Sequence, residues 1–79
     1  MSEQEIQRKR IKELESEGYY VLKITVTNKN GIPDLIAIPK DADELYIECK
    51  KGKGKLSELQ KYRLKELEKY GFRAEVYRG

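Results

Sequence analysis

The amino-acid sequence predicts an α/β fold in which one helix is followed by three strands, a second helix and a fourth strand. Two segments repeat apolar residues at helical spacing and begin with a capping pattern. Four shorter segments carry the β-branched, aromatic and alternating residues of strands. Glycine, proline and asparagine lie between segments, which indicates turns there. The predicted elements are helices at 2–17 and 57–70 and strands at 19–27, 34–38, 45–50 and 72–77.

The first helix is predicted from its two ends and one apolar stripe. Ser2 and Glu5 have the Ser-x-x-Glu spacing of a capping box, and Gly18 is a C-terminal stop. At about 100° per residue, Glu3 falls within the stripe and Glu5 outside it. A carboxylate on the core-facing side is either part of a frayed first turn or functional. The stripe consists of Ile6, Ile11 and Leu14.

The next three strands are separated by two turns, at 28–31 and 39–44. Pro33 marks the start of the second strand. In the first strand, alternation involves Tyr20, Leu22, Ile24 and Val26. In the third strand, alternation puts Tyr46, Glu48 and Lys50 on one face and Leu45, Ile47 and Cys49 on the other.

A basic loop, Lys51-Gly52-Lys53-Gly54-Lys55, leads into the second helix. Ser57 and Gln60 form another capping-box pair, and Gly71 is the C-terminal stop. Gln60 lies within about 60° of two leucines on the helix surface, so we expect it to point with them toward the sheet. Those leucines are Leu64 and Leu67.

Length and composition indicate one small folded domain, residues 1–79. A chain this short buries a thin core, so we expect a self-associating surface and a homodimer. Charged residues make up 39% of the chain, but the periodic apolar residues favour folding over disorder. The net charge of +3 favours polyanionic partners only mildly. An ordinary solvated surface has the same charge.

Cysteine and histidine usage limits the kind of metal site. The single cysteine, Cys49, excludes an internal disulfide, and the lack of histidine excludes the usual His/Cys zinc site. Oxygen ligands remain, and these favour Mg²⁺ or Mn²⁺. Apolar runs are too short to span a bilayer and no signal peptide is visible, so a reducing cytoplasm is the expected compartment.

The spacing Asp-x13-Glu-x-Lys, formed by Asp34, Glu48 and Lys50, is the strongest chemical pattern in the chain. A hard cation held by two carboxylates lowers the pKa of its bound water and neutralises phosphate charge. The short turn between the two strands makes them a hairpin, which can bring Asp34 and Glu48 together. Lys50 projects from the same face as Glu48 and can orient water or stabilise developing charge. This set predicts hydrolysis of a phosphodiester.

Each of these groups also has a structural interpretation. Asp34 can cap the turn after Pro33, and Glu48 with Lys50 can be an exposed ion pair worth less than about 1 kcal/mol. Gln60 can simply satisfy donors at the helix N-terminus. Its functional alternative is an amide at the positive end of a helix that helps to hold Lys50 or a phosphate.

Taken together, these residues resemble the stand-alone VRR-NUC domain of phages and bacteria, a branch of the PD-(D/E)xK nuclease superfamily. The resemblance extends over essentially the whole chain, in order. The matching pieces are Glu3-x-x-Ile6-Gln7, Gly31-Ile32-Pro33-Asp34-Leu35-Ile36, Ile47-Glu48-Cys49-Lys50 and Leu56-Ser57-x-x-Gln60. It implies a restriction-endonuclease-like core, with a small mixed sheet and flanking helices.

The resemblance also implies a role for each site residue. Asp34 and Glu48 would be metal ligands, with the Cys49 backbone carbonyl as a third, and Lys50 the catalytic lysine. Glu3 would be the first-helix acid, at the metal directly or through water, and Gln60 the helix-borne glutamine. Glu5 is a rival for Glu3. Cys49 stands where the family more often has an aliphatic residue, and its side chain is expected to face the core.

The function implied is a Mg²⁺- or Mn²⁺-dependent DNA endonuclease, similar to homodimeric Holliday-junction resolvases in a bacterial cell or phage-infected host. Lys51, Lys53 and Lys55 are candidates for phosphate contacts, although a solvated mobile loop is the alternative. Other hypotheses are a nuclease of the same fold acting on flaps, ends or duplex, a non-catalytic nucleic-acid-binding module, and a protein–protein domain. The intact Asp34, Glu48 and Lys50 count against a non-catalytic module.

Overall fold

Residues 2–79, described by a computed structural model, form two helices and four strands in the predicted order. Neither helix has the length and apolar composition that crossing a bilayer requires. The strand boundaries at 45–50 are those predicted, and both helices differ from prediction by one residue at each end. The elements are α1 (Glu3–Ser16), β1 (Tyr20–Lys23), β2 (Leu35–Ile38), β3 (Leu45–Lys50), α2 (Glu58–Lys69) and β4 (Arg73–Arg78).

The four strands form one mixed sheet with the order β1-β2-β3-β4. β1 with β2 and β2 with β3 are antiparallel neighbours, and β3 with β4 is a parallel pair. The β2–β3 hairpin places Leu35 opposite Ile47, whereas α2 lies in the crossover that returns the chain to β4 beside β3. The predicted fold class, a small mixed sheet with flanking helices, is confirmed.

The core lies between α1 and one face of the sheet. The sheet contributes to this core the face of β3 that was predicted to be apolar and alternate residues of β2. α2 packs against β4 outside this cluster. Tyr46, on the other face of β3, packs edge-to-face on Phe72 with ring centroids 5.6 Å apart. The buried cluster is Ile6, Leu14, Leu35, Ala37, Leu45, Ile47 and Cys49.

Both helices have the predicted caps. The capping boxes of Ser2 with Glu5 and Ser57 with Gln60 are reciprocal, each serine hydroxyl accepting from the backbone N–H three residues on. Gly18 and Gly71 have φ of +94° and +88°, the left-handed conformation that glycine adopts without a Cβ clash. In each case the residue after the glycine donates to a carbonyl in the last turn, which closes a Schellman motif.

The first strand is shorter than predicted and turns its alternating set away from the core. Ile24 N still donates to Asp34 O at 2.8 Å, but residues 25–27 lie outside the ladder. Val21 lies opposite buried Ala37, so the core side of β1 is the set between the predicted alternating residues. Tyr20 is 67% exposed and Val26 is 89% exposed.

Candidate active site

The β2–β3 hairpin brings Asp34 to the backbone of Cys49. The Cys49 N–H donates to Asp34 Oδ2 at 2.8 Å, just beyond the ladder pair of Leu35 with Ile47. Cys49 lies beyond the last β2–β3 pair, so its backbone N–H is not bonded within that ladder. The Asp34 carboxylate accepts this N–H instead. Asp34 is thus bound to β3, rather than only capping the turn after Pro33.

Glu48 is a buried acid beside Asp34. It is only 3% exposed and lies on the β3 face opposite the apolar cluster. Burial, together with the hydrogen bond and negative charge of Asp34, raises the pKa of Glu48 to about 8. A smaller contribution from Glu3 also raises this pKa, whereas Lys50 lowers it. The exposed ion-pair interpretation of Glu48 is therefore wrong.

Lys50 shares the strand face of Glu48 but has no ion pair within 4.0 Å in the described residues. The lysine is half-buried at the end of β3. Its positive charge acts on Glu48 at longer range, because it lowers the pKa of that acid. The ammonium group therefore acts on Glu48 without being neutralised by a direct ion pair in the described residues.

Glu3 and Glu5, the two rival acids of α1, have different environments. Glu5 Oε1 accepts the Ser2 N–H at 3.0 Å, and the hydrogen bonds with Ser2 lower the Glu5 pKa. Glu3 Oε2 instead lies 3.4 Å from the backbone N of Lys51, directly after Lys50. The structure thus assigns Glu5 to helix capping and brings Glu3 to the end of β3.

Gln60 has the capping role that formed one of its two interpretations. Its Oε1 accepts the Ser57 N–H at 2.9 Å, and its own N–H donates to Ser57 Oγ at 3.1 Å. The residue is half-buried, as expected for a side chain on the sheet-facing side of α2. Only its side-chain amino group remains for contact with a phosphate, so any role at the site would be as a donor.

Gln7 is a buried polar residue of α1 that was assigned no separate role from the sequence. It is 9% exposed, and its Oε1 is buried without a hydrogen-bond partner in the described chain. It lies one helical turn after Glu3, on the same face of α1. Helical spacing alone places Gln7 in the apolar stripe of α1. A polar residue in that stripe was the signal in the sequence that could have identified it.

Asp34 and Glu48 form a pair of carboxylates rather than a group of three or more potential metal ligands. Within residues 2–79, no three acidic, histidine or cysteine side chains are grouped closely enough to hold a metal ion. A pair nevertheless fits Mg²⁺, which is commonly held by one or two carboxylates and keeps several of its waters. Because burial and mutual repulsion penalise two ionised groups here, a divalent cation would relieve the charge of Asp34 and Glu48.

Comparison with known proteins identifies a family and several similar solved structures. The VRR-NUC domain family model matches residues 20–79. A solved structure described as a VRR_NUC domain has a TM-score of 0.84 and 24% identity, covering 98% of this chain and 83% of that one. Another, described as a VRR_NUC domain protein, has a TM-score of 0.81 and 26% identity, covering 100% and 79%. No curated protein matches the chain.

Proposed function

Because the chain belongs to the VRR-NUC domain family, we propose that it is a Mg²⁺- or Mn²⁺-dependent endonuclease that cuts branched DNA. The family carries a nuclease-type fold, and the proposal adds the reaction and its substrate. The observation that carries it is the meeting of Asp34 with buried Glu48 at the end of the β2–β3 hairpin. Lys50 follows on the same strand face.

Asp34 and Glu48 would hold the cation, which when bound supplies charge neutralisation on the phosphate and an acidified water. Burial and Asp34 raise the pKa of Glu48, so this carboxyl would have to give up its proton to water in order to serve as a metal ligand. Lys50, without a direct ion pair in the described residues, is available to orient the attacking water or to stabilise charge that develops on the phosphate.

The Cys49 backbone carbonyl is proposed as the third ligand of the metal ion. The N–H and C=O of one residue point to the same side of a strand, and the Cys49 N–H points to Asp34. The carbonyl therefore faces the edge where Asp34 lies, while the thiol faces the core. Glu3 would contribute from the end of α1 through water, and the Gln60 amino group would donate to a phosphate.

We propose a homodimer acting on a four-way junction, as a Holliday-junction resolvase does. Two sites related by a two-fold axis can nick two strands of a symmetric junction. Among residues 2–79 the buried core contains only seven apolar residues, while large apolar side chains such as Tyr20, Tyr62 and Tyr70 remain exposed. Cleavage of flaps, ends or plain duplex by the same residues is the alternative, and it needs no second subunit.

Lys50→Ala tests the reaction. We expect the variant to lose Mg²⁺-dependent cleavage, by more than about 100-fold, while its affinity for a four-way junction stays close to that of wild type. Lys40→Ala, which removes an exposed lysine from the turn at 39–44, is the matched control and should cut normally. Equal cleavage by Lys50→Ala, or undiminished cutting in excess EDTA, would remove the mechanism.

A substrate panel tests the substrate. Wild-type protein with Mg²⁺ would be given a four-way junction, a flap, a duplex and single strands at equal concentration. Preferential, paired nicking of the junction is expected from the dimer. Equal cutting of all duplex-containing substrates would favour the alternative nuclease, and binding without cutting would favour a non-catalytic module.

A further inference from the structure

The guanidinium group of Arg78 joins β4 to the basic loop, residues 51–55. Arg78 Nη1 donates to the carbonyl oxygen of Gly52 at 3.1 Å and also to that of Gly54. Both acceptors are glycine carbonyls placed between the three lysines of the loop. One exposed side chain therefore binds the loop at two points.

Arg78 also lies beside the candidate active site. The parallel register places Arg78 directly opposite Lys50, so the two side chains share a face of the sheet with Glu48. The Gly79 N–H then donates to Lys50 O at 3.4 Å, which continues the pairing past the end of both strands. The bonds to the loop consequently begin next to the proposed catalytic lysine.

Apart from Arg78, the loop is held by a long contact of its first residue, between Lys51 N and Glu3 Oε2, and by one internal turn. Glycine at two of its five positions gives it wide conformational freedom, and Gly52 has φ of +48°. The Gly54 N–H donates to Lys51 O at 2.8 Å and closes a turn. Arg78 adds two hydrogen bonds to carbonyl groups of that turn. The backbone that carries the lysines is therefore ordered before any ligand binds.

We propose that Arg78 is a positioning residue that orders the basic loop so that Lys51, Lys53 and Lys55 contact phosphates beside the active site. The inference rests on the proposed nuclease function. A free loop would lose conformational entropy on meeting DNA, and a loop that is already ordered binds more tightly for the same charges. The three lysines are exposed, as this role requires.

The arginine side chain suits this role better than a lysine side chain would. Both bonds come from one guanidinium nitrogen, whose two N–H donors have fixed directions in the guanidinium plane, whereas the three donors of a lysine ammonium rotate freely. Nη1 serves the loop carbonyls in the structure. The substitution Arg78→Lys would keep the charge but not this geometry, which separates positioning from simple attraction.

Two substitutions and one matched control test the proposal. Arg78→Gln removes both the positive charge and the guanidinium group. Arg78→Lys keeps the charge and removes only the guanidinium group, and Arg73→Gln is the control. Arg73 is exposed on the same strand and likewise donates to a loop carbonyl, that of Asp43 at 2.9 Å, but at the far end of β4. Thermal melts followed by circular dichroism establish that each variant is folded.

The first readout needs no DNA. We expect faster hydrogen exchange at the Gly54 amide in both Arg78 variants, and no change there in Arg73→Gln. The second readout is affinity for a four-way junction in EDTA across a salt series. Both Arg78 variants should bind about tenfold more weakly, with a shallower dependence on salt, because several phosphate contacts are lost together.

Wild-type affinity in an Arg78 variant whose Gly54 amide exchanges faster would overturn the proposal, because a loop that is not ordered would then bind DNA equally well. Unchanged exchange at Gly54 in Arg78→Gln would also overturn it. If Arg78→Gln does not fold, the comparison of Arg78→Lys with wild type decides. Wild-type protein that binds no DNA would remove the proposed function instead, and the Gly54 exchange would still show whether Arg78 holds the loop.

Discussion

Glu48 is an acid placed where ionisation is unfavourable. Its burial and its neighbour Asp34 both raise its pKa, and the more distant Lys50 only partly offsets them. A solvent-facing Glu-x-Lys pair would do the opposite and lower the pKa of the acid. Perturbed carboxyls of this kind are concentrated at functional sites, which supports the interpretation of this pair as reactive rather than structural.

The free energy of unfolding of the metal-free protein should depend on Glu48. The pKa rises from 4.5 to about 8 on folding, so the folded state holds the proton more tightly. The contribution to stability is therefore full below the unfolded value and falls as the pH rises through about 8. Urea titrations between about pH 5 and 9 should show this fall in wild type and a flatter profile in Glu48→Gln. An equal or steeper fall in Glu48→Gln would contradict it.

The Cys49 thiol should be unreactive in the folded protein. It is 1% exposed, and burial raises its pKa to about 12, assisted by the charges of Asp34 and Glu48. The thiolate is the nucleophile, so iodoacetamide at about pH 8 should label folded protein far more slowly than protein in urea. Equal labelling rates in the two conditions, measured by mass spectrometry, would show that the thiol is accessible.

At the residue scale, the sequence predicted the strand face of each side chain better than its contacts. Strand alternation placed Glu48 and Lys50 on one face and the Cys49 thiol in the core, because a side-chain period of two is a property of the strand itself. It could not show that Asp34 binds the Cys49 N–H, since that contact depends on where the β2–β3 ladder ends. The roles of these residues in cleavage remain predictions.

At the scale of elements, helix ends were predictable because their signals are local. Capping boxes and C-terminal glycines are recognised within a few residues, and both helices have them. The length of β1 was not predictable, because it depends on a partner. β2 begins only at Leu35, so the sequence from Thr25 onward has strand-like residues but no neighbour to pair with.

The segment before Asp34 is fixed by contact with α2. A Cβ added at Gly31 would lie 2.8 Å from Leu59 Cγ, and Gly31 has φ of +79°. We expect Gly31→Ala to lower the free energy of unfolding by about 1–3 kcal/mol, from overpacking and backbone strain together. Chemical denaturation measures this loss, and the Asp34 side of the site should become less well ordered.

Gly18→Ala is the matched control for Gly31→Ala. Gly18 has a similar positive φ, but an added Cβ there meets nothing within 4 Å. Gly18→Ala should therefore lower the free energy of unfolding only through backbone strain at positive φ, by about 1 kcal/mol. Adding Leu59→Ala to Gly31→Ala should recover part of the larger loss. Equal losses at the two glycines would mean that the contact with Leu59 contributes nothing.

At the scale of the whole molecule, a second copy of the chain is the main open prediction. We expect sedimentation equilibrium at micromolar concentration to give a dimer, because the core is thin and apolar side chains are exposed. Dilution should lower paired nicking of a junction and dimer content together. A monomer that resolves junctions at full rate would contradict the two-site mechanism.

The sheet order has a kinetic consequence. The antiparallel hairpin joins Leu35 to Ile47 across a short stretch of chain, whereas the parallel pair joins Leu45 to Arg73 only after α2 has been traversed. Longer loops are closed later, because more chain entropy is lost before any contact compensates for it. During refolding we therefore expect Asp34 and Glu48 to meet before Arg78 binds the basic loop.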